Sequence, residues 1–287
     1  MSTSLARRAW TLFEPIHAIV YFAPEAPEHY TAAGLRGGWM GYFASRSAPM
    51  GAVTPAVVTA VFHSFQPDMV ARAIPDAWHF SSPELALTAR TAIADSALRR
   101  LWGDEVASAD VAAAASAAMA VAHQLPGGGR PLYAATARLD EPEAAHLKLW
   151  HACTLLREHR FDGHVAALTV HGLDGLESLV TALAVGGWID APTMRRFRGW
   201  TEEEWDAGVE RLRGRGILDT AGAFTEKGRA LRTDVEEMTD RLASDVWEAM
   251  DEPSREHLFD TLRRLATLLE SPDGISYPNP IGVSRPL

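Results

Sequence analysis

GILDTAGAFTEKG, residues 216–228, is the stretch that decides the fold, because it ends one helical pattern and begins another. Gly216 stops the helix that begins at the Thr201/Glu204 capping box, and Thr225 followed by Glu226 caps the next helix. Between these two signals, only short pieces at 217–218 and 223–224 have an extended pattern. The stretch therefore predicts a helix, a very short pair of extended segments and a further helix.

Helical patterns with a period near 3.6 surround this stretch on both sides. They predict helices over 85–102, 106–124, 144–160, 163–172, 174–186, 201–215, 226–243 and 252–270. Strand-like alternation is scarce elsewhere, so the sequence predicts a mainly α fold. The order of elements in the C-terminal half, with the short extended pair after the third helix, is that of a winged helix.

The strongest break in the helical pattern is PGGGRP at 126–131, which predicts two segments, 1–128 and 129–287. A shift of 122 residues aligns His29 with His151, Gly41 with Gly163 and, among other matches, tryptophans at 78 and 200. This repetition predicts that the winged-helix unit is duplicated, with a second unit at about 41–122 related to the first by pseudo-symmetry. The C-terminal YPNPIG, residues 277–282, is incompatible with a helix and predicts a turn or a lid strand.

Composition is typical of a globular protein, with 47% hydrophobic and 22% charged residues in 287. The single cysteine, Cys153, excludes an internal disulfide and fits a reducing cytoplasm. The longest weakly polar run, residues 111–122, is too short to cross a bilayer. We therefore expect a cytoplasmic protein without a membrane partner.

Charge argues against DNA as a partner. The net charge is −10, and the helix that would read the major groove begins TEEEWD at residues 201–206, with four carboxylates directed at phosphate. The predicted wing at 220–224 has no basic residue. The arginines around it are explained by a solvated, internally paired surface. We predict a winged-helix scaffold without ordinary DNA readout.

Several segments resemble known families. RGILDTAGAFTEKGRAL (215–231) resembles the segment of MarR-type regulators that leaves the recognition helix and forms the wing. GGWMGYFASRSAPMG (37–51), LWHACTLLREHRFDGHVAAL (149–168), RGWTEEEW (198–205) and YPNPIG (277–282) resemble an actinobacterial family of helix-turn-helix-like proteins. The resemblance implies no activity. This chain has Phe161 where the family pattern leads us to expect glycine.

LLREHRFDGH, residues 155–164, is the predicted functional centre, because ionisable side chains interrupt a helix that should be apolar. His151 and Glu158 share one helical stripe with apolar residues, so both are expected to point into the core. A buried charge needs a partner, either in a structural network or in a ligand. Both interpretations remain open at this point.

Three residues of this region are the catalytic candidates: His164, Glu158 and Asp162. Gly163 is predicted to start a new helix, which places His164 where backbone N–H groups favour an anion. Arg157 is expected to fold back across the bend onto Asp162 or to clamp a ligand carboxylate. Glu158 is expected to orient His151 or His164.

Aromatic and histidine-bearing stretches at 15–22, 38–46 and 61–65 are predicted to wall a pocket around this centre. A lone histidine among aromatic residues is equally explained as a satisfied core residue. The predicted ligand-binding residues are His17, Trp39, Tyr42, Arg46, His63, His151, Arg157 and His159.

Recognised cofactor motifs are missing from the sequence: there is no HExxH, no cysteine pair, no P-loop and no GxSxG. A metal or haem site assembled from His17, His151 or His164 with Glu158 or Asp162 stays open.

Two functions from different classes fit these observations. The first is a small-molecule-binding protein or enzyme of actinobacterial secondary metabolism, with a polar centre in an aromatic-lined pocket. The alternative is a ligand-responsive, MarR-like transcriptional regulator that binds DNA as a dimer. A homodimer is compatible with either, and the sequence fixes neither the ligand nor a reaction.

Overall fold

The computed structural model describes residues 4–186 and 189–286, and this part of the chain is mainly helical. In chain order, the helices are α1 (Leu5–Ala18), α2 (Ala26–Ala32), α3 (Gly38–Ser47), α4 (Pro55–Phe62), α5 (Pro67–Ala71), α6 (Ala77–Phe80), α7 (Pro83–Trp102), α8 (Ala109–Ala122), α9 (Pro131–Thr136), α10 (Ala145–Val170), α11 (Gly175–Val185), α12 (Ala191–Arg198), α13 (Glu202–Gly214), α14 (Glu226–Arg241), α15 (Asp245–Glu248) and α16 (Glu252–Leu268). Short 3₁₀ turns lie at Ile19–Tyr21, Ala48–Met50 and Gly103–Ala107.

Capping residues set the limits of the helices in the C-terminal half. Asp174 and Thr201 each form a capping box, with Glu177 and Glu204 respectively. Gly216, at φ 67°, follows the end of α13 as predicted. Helices α7, α8, α11, α13, α14 and α16 therefore agree with the predicted ranges to within three residues at each end.

Two hydrophobic cores share helix α10. The larger core contains its N-terminal part together with α1, α7, α8 and α16. The smaller core lies between the end of α10 and α11–α14, and we call residues 175–241 the C-terminal unit; Trp205 and Leu212 of α13 are buried there. The predicted boundary after residue 128 falls in the turn between α8 and α9, and the segments on its two sides share the larger core.

The predicted bend at Phe161-Asp162-Gly163 was wrong, because α10 runs without a break from Ala145 to Val170. Gly163 serves packing instead of bending. A Cβ there would lie 2.0 Å from Nη1 of Arg130, whose guanidinium crosses the helix and donates to the carbonyl of His159 at 2.9 Å. The glycine makes room for this crossing side chain.

The extended pair after α13 is reduced to one antiparallel bridge between Leu218 and Phe224. Asp219 N–H donates to the Ala223 carbonyl at 2.8 Å and closes the turn. Residues 4–186 contain no such bridge, and α7 is followed by the 3₁₀ turn at 103–107. The duplication of the unit therefore stays a prediction.

Within residues 4–186 and 189–286, each helix taken alone is too short or too polar to cross a bilayer. Two pairs of consecutive helical segments have sufficient length and apolar composition only when the two members are counted together, although each pair is sharply bent between them. These pairs are Pro83–Ala107 with Ala109–Ala122 and Ala145–Val170 with Gly175–Val185.

Alanine substitutions at two helical glycines test the packing at the α10 crossing. Gly163→Ala should lower the free energy of unfolding by about 1–3 kcal/mol, because the methyl group displaces the Arg130 guanidinium. Gly214→Ala meets no atom within 4 Å and should stabilise by up to ~1 kcal/mol. Urea denaturation of both variants measures these values, and a neutral Gly163→Ala would contradict the packing role.

Candidate functional site

A cavity of about 440 Å³ lies between the larger core and the C-terminal unit. Its wall is built from α1, α3, α10, α11 and α14, the loop after α4, the end of α12 and the C-terminal tail. The residues that line it are Arg7, Trp10, Glu14, Tyr21, Tyr42, Arg46, Phe62, His63, Ser64, Phe65, Arg157, Arg160, Phe161, His164, Val165, Leu168, Ser178, Leu179, Ala182, Val185, Gly186, Arg198, Arg232, Glu236, Thr239, Ile281, Gly282 and Ser284.

The floor of the cavity is an ion cluster centred on Glu158. Arg46 of α3 donates from Nε to Oε1 at 3.1 Å and from Nη2 to Oε2 at 3.0 Å, and Arg157 Nη1 donates to Oε2 at 2.8 Å. Burial alone opposes ionisation of this carboxyl, but the two guanidinium groups hold its pKa well below its usual range. Arg157 also reaches Glu14 on α1 at 3.3 Å. The cluster thus ties α1, α3 and α10 together.

This arrangement corrects two predicted roles. Glu158 does not orient His151 or His164, because both of its oxygens accept from arginines. Arg157 does not fold onto Asp162, because α10 has no bend and its guanidinium lies between Glu158 and Glu14. Arg157 lines the cavity, whereas Glu158 lies behind the wall and holds Arg46 and Arg157 in place.

A second ion cluster lies at the other end of the cavity, where α1 and α10 meet α14. Glu236 pairs with Arg7 and Arg232. Asp240 pairs with Arg160 at 2.7 Å and with Arg7 at 3.3 Å. Burial raises the pKa of Glu236, but Arg232 and the other nearby cations outweigh it and lower the value to about 2. Glu236 is therefore ionised at neutral pH.

His164 lines the cavity beside this second cluster. Its Nδ1 lies 2.9 Å from the hydroxyl of Thr239, which donates its own proton to the Val235 carbonyl at 2.7 Å. Nδ1 therefore carries the hydrogen, and Nε2 is left as an acceptor without a partner among the described residues. Burial lowers the pKa of His164 to about 3, so the ring is neutral.

His17 is fully buried behind the cavity wall and forms part of a hydrogen-bonded chain. Thr154 uses its proton on the Trp150 carbonyl, so it accepts from Nδ1 of His17 at 3.1 Å. Nε2 then accepts from the hydroxyl of Tyr21 at 3.0 Å, and Arg90 donates to that hydroxyl. The role of His17 is to fix Tyr21, which lines the cavity.

An aromatic cluster forms the side of the cavity facing α3 and α4. Tyr42 and Phe65 line it with ring centroids 5.5 Å apart, and Arg46 donates to the Tyr42 hydroxyl at 3.1 Å. His63 lines it as predicted, at a φ of 59°. Trp39 packs on the outside of this cluster, 5.9 Å from Phe65, and lies outside the lining set.

Three predicted site residues lie away from the cavity. Asp162 accepts from the backbone N–H of Tyr133 at 3.0 Å, at the start of α9. His159 packs edge-on against the ring of Tyr133 at 5.1 Å. His151 is buried elsewhere on α10, where burial lowers its pKa to about 4. His151 and Glu158 are both buried as predicted, but residues 149–156 are all buried, so α10 has no single core-facing side.

Two of the three histidines considered as metal or haem ligands take separate protein partners, His17 at Thr154 and His164 at Thr239. Across the described ranges, no group of three or more histidine, cysteine, aspartate or glutamate side chains is placed to hold a metal ion.

Sequence reasoning missed most of the arginines that line the cavity. Arg232 and Glu236 show an i,i+4 pattern on α14 that predicts pairing, and this signal was available. Arg198 carries no such signal. It follows two further arginines on α12 and was assigned to a solvated surface, but it is only 7% exposed.

The surface of α13 is acidic, as the sequence predicts. Its exposed side chains include Glu202, Glu203, Asp206 and Glu210. Four of the nearby arginines are paired with carboxylates: Arg195 with Glu202, Arg213 with Glu210, Arg211 with Asp174 and Glu177, and Arg215 with Glu177. The exposed surface of this helix therefore carries mainly negative charge.

Among known proteins, a family model described as a helix-turn-helix family matches residues 6–273. No curated protein and no solved structure matches the chain.

Asp162→Asn tests whether this carboxyl is a structural group. Burial raises the pKa of Asp162 to about 7, so ionisation between about pH 4 and 7 is unfavourable in the folded state and stability falls over that range. An asparagine oxygen can still accept from Tyr133 without titrating. The variant should match the wild type near pH 4 and gain on the order of 1–3 kcal/mol by pH 8.

Urea titrations at several pH values measure this gain, with Asp140→Asn on the exposed surface as the control. A difference between wild type and Asp162→Asn that does not change with pH would contradict the assignment.

Proposed function

We propose that this chain, which belongs to a helix-turn-helix family, binds a small molecule in the cavity between its larger core and its C-terminal unit. The observation that carries the proposal is the cavity itself. A volume of about 440 Å³ is within the range of small-molecule sites, and aromatic walls with a few fixed polar groups are their usual lining.

The polar groups of the wall are held before any ligand arrives. Arg46 and Arg157 are fixed by Glu158, and His164 is fixed by Thr239. Side chains locked by such contacts lose little conformational entropy on binding. This preorganisation supports a binding site over a packing defect.

Titration behaviour favours binding over acid–base catalysis. His164, with a pKa lowered to about 3, is a weak proton acceptor at neutral pH. Glu158 and Glu236 are held ionised by arginines and have no proton to donate. We infer that the protein binds its ligand without transforming it through these groups.

We infer that the C-terminal unit is a winged helix related to MarR-type regulators, with its wing reduced to the Leu218–Phe224 bridge. Apart from the additional short helix α6, the order of α4, α5, α7 and α8 parallels that of α11–α14 and supports the proposed duplication. The proposed actinobacterial small-molecule metabolism rests on sequence resemblance, and the proposed cytoplasmic setting rests on the single cysteine.

A ligand-responsive, dimeric regulator is the second candidate, because a helix-turn-helix family suggests DNA binding and the cavity adjoins the C-terminal unit. The acidic surface of α13 weighs against it. We therefore rank ligand binding without DNA readout first.

Native mass spectrometry of the protein purified from its own host tests the proposal. The wild type should carry a bound species of roughly drug size, as the cavity volume requires. Ala182→Trp, which places an indole in the cavity wall, should lose that species, and Ala207→Trp on the exposed side of α13 should keep it. A wild-type mass equal to the chain alone would count against the proposal.

DNA binding is expected to be absent at about 150 mM salt and low micromolar protein, in a gel-shift assay with the protein's own upstream region and with random duplex. Replacing Glu202, Glu203 and Asp206 together by lysine should create salt-dependent, non-specific binding, because the same surface then attracts phosphate. Saturable, sequence-dependent binding of the wild type at nanomolar concentration would favour the regulator instead.

A further inference from the structure

We propose that the ligand of this cavity is an organic anion, with an apolar, ring-containing body and one carboxylate-like or sulfonate-like group that Arg198 binds. The inference rests on the proposed function and specifies its ligand class. It follows from the one lining arginine that has no counter-charge within the described part of the chain.

The guanidinium of Arg198 is mostly unsatisfied. It has five N–H groups, and one of them, on Nη2, donates to the Pro280 carbonyl at 2.8 Å. Nε is buried without an acceptor, and no described carboxylate lies within 4 Å of the guanidinium. Its other contact is the face of Phe65, 4.5 Å from the ring centroid. A buried charged group with this many free donors is suited to an anion.

The other arginines of the wall provide an internal comparison. Each has at least one carboxylate partner: Arg46 and Arg157 at Glu158, Arg7 and Arg232 at Glu236, and Arg160 at Asp240. Six arginines line the cavity, and the four carboxylates Glu14, Glu158, Glu236 and Asp240 pair with five of them. The cavity is therefore positive in a chain whose net charge is −10.

Burial makes this uncompensated charge costly. Burial lowers the pKa of Arg198 to about 10, with Arg46 and Arg157 acting in the same direction, so the group stays charged at neutral pH. An unpaired buried cation is strongly destabilising, and an anion entering the cavity relieves that cost. Attraction to the ligand is stronger here than at the surface, because water screens it less.

The remaining wall defines the rest of the ligand. Tyr42, Phe62, Phe65 and Phe161 present apolar surface to the cavity, which a bare inorganic anion leaves uncovered. Nε2 of His164 is free to accept a hydrogen bond from a hydroxyl or amine of the ligand. The cavity therefore fits a ring-containing organic anion better than phosphate alone.

Two fluorescent probes that differ by one anionic group test the inference: anilinonaphthalene sulfonate and its uncharged parent, phenylnaphthylamine. The wild type should bind the sulfonate at least about tenfold more tightly, as expected for a charge-assisted hydrogen bond. Arg198→Met should remove this preference and bind the neutral probe within about twofold of wild type. Arg196→Met, on the exposed side of the same helix, is the matched control and should keep it.

Ala182→Trp, which fills the cavity, should abolish saturable binding of both probes and so locates them. Equal affinity for the two probes, or a preference that survives Arg198→Met, would overturn the anion inference and leave the proposed function standing. Absence of saturable binding of either probe to the folded wild type would overturn both.

The melting temperature of the ligand-free variant gives an independent readout. Arg198→Met should leave it unchanged within a few degrees or raise it, because methionine removes an unpaired buried charge. A large fall, without loss of the probe preference, would show that Arg198 is structural.

Discussion

The bridge from Glu158 to Arg46 and Arg157 is the interaction on which the rest of the structure depends. It joins α3 to α10 in a region where the side chains of Arg46 and Glu158 are each 3% exposed. Charges so deeply buried are tolerated only with near-complete pairing, and removing one partner typically costs about 3–5 kcal/mol. The bridge therefore fixes both the helix packing and one face of the cavity.

Helix α10 connects this bridge to the C-terminal unit. The N-terminal part of α10 belongs to the larger core, and Ala167 and Leu168 near its C-terminal end belong to the smaller core. The cavity lies beside the part of α10 where the two cores meet. Arg130 crosses it at Gly163, where the absence of a side chain leaves room for the guanidinium. A ligand between the two cores contacts both, so binding is expected to restrict their relative motion.

Local sequence signals predicted much of the fold. The capping box at Thr201 and the stop at Gly216 gave α13, and the short pair beyond it is present as one bridge. Gly163 led to the wrong prediction of a bend. A single glycine in a helical pattern can mark either a helix break or a position of close packing, and one sequence does not distinguish the two. Only the crossing Arg130 distinguishes them, and it lies far away in the chain.

Only some residues of the candidate site could be predicted, because the others depend on contacts between distant parts of the chain. Tyr42, Arg46, His63, Arg157 and His164 line the cavity. His151, His159 and Asp162 lie on α10 with Arg157 and His164 but point away from the cavity. The sequence did not separate the two groups, because a helical stretch that is buried on nearly all sides gives no periodic signal. Arg198 was predicted to be solvent-exposed because acidic and basic residues lie near it in the sequence, as on a surface with ion pairs. Its burial away from carboxylates depends on tertiary packing.

The most direct test of the central claim is a crystal structure of the protein with anilinonaphthalene sulfonate bound. The sulfonate should lie within hydrogen-bond distance of the Arg198 guanidinium, with the rings against Tyr42 and Phe65 inside the cavity. A dye bound on the outer surface, with Arg198 still donating only to the Pro280 carbonyl, would contradict the claim.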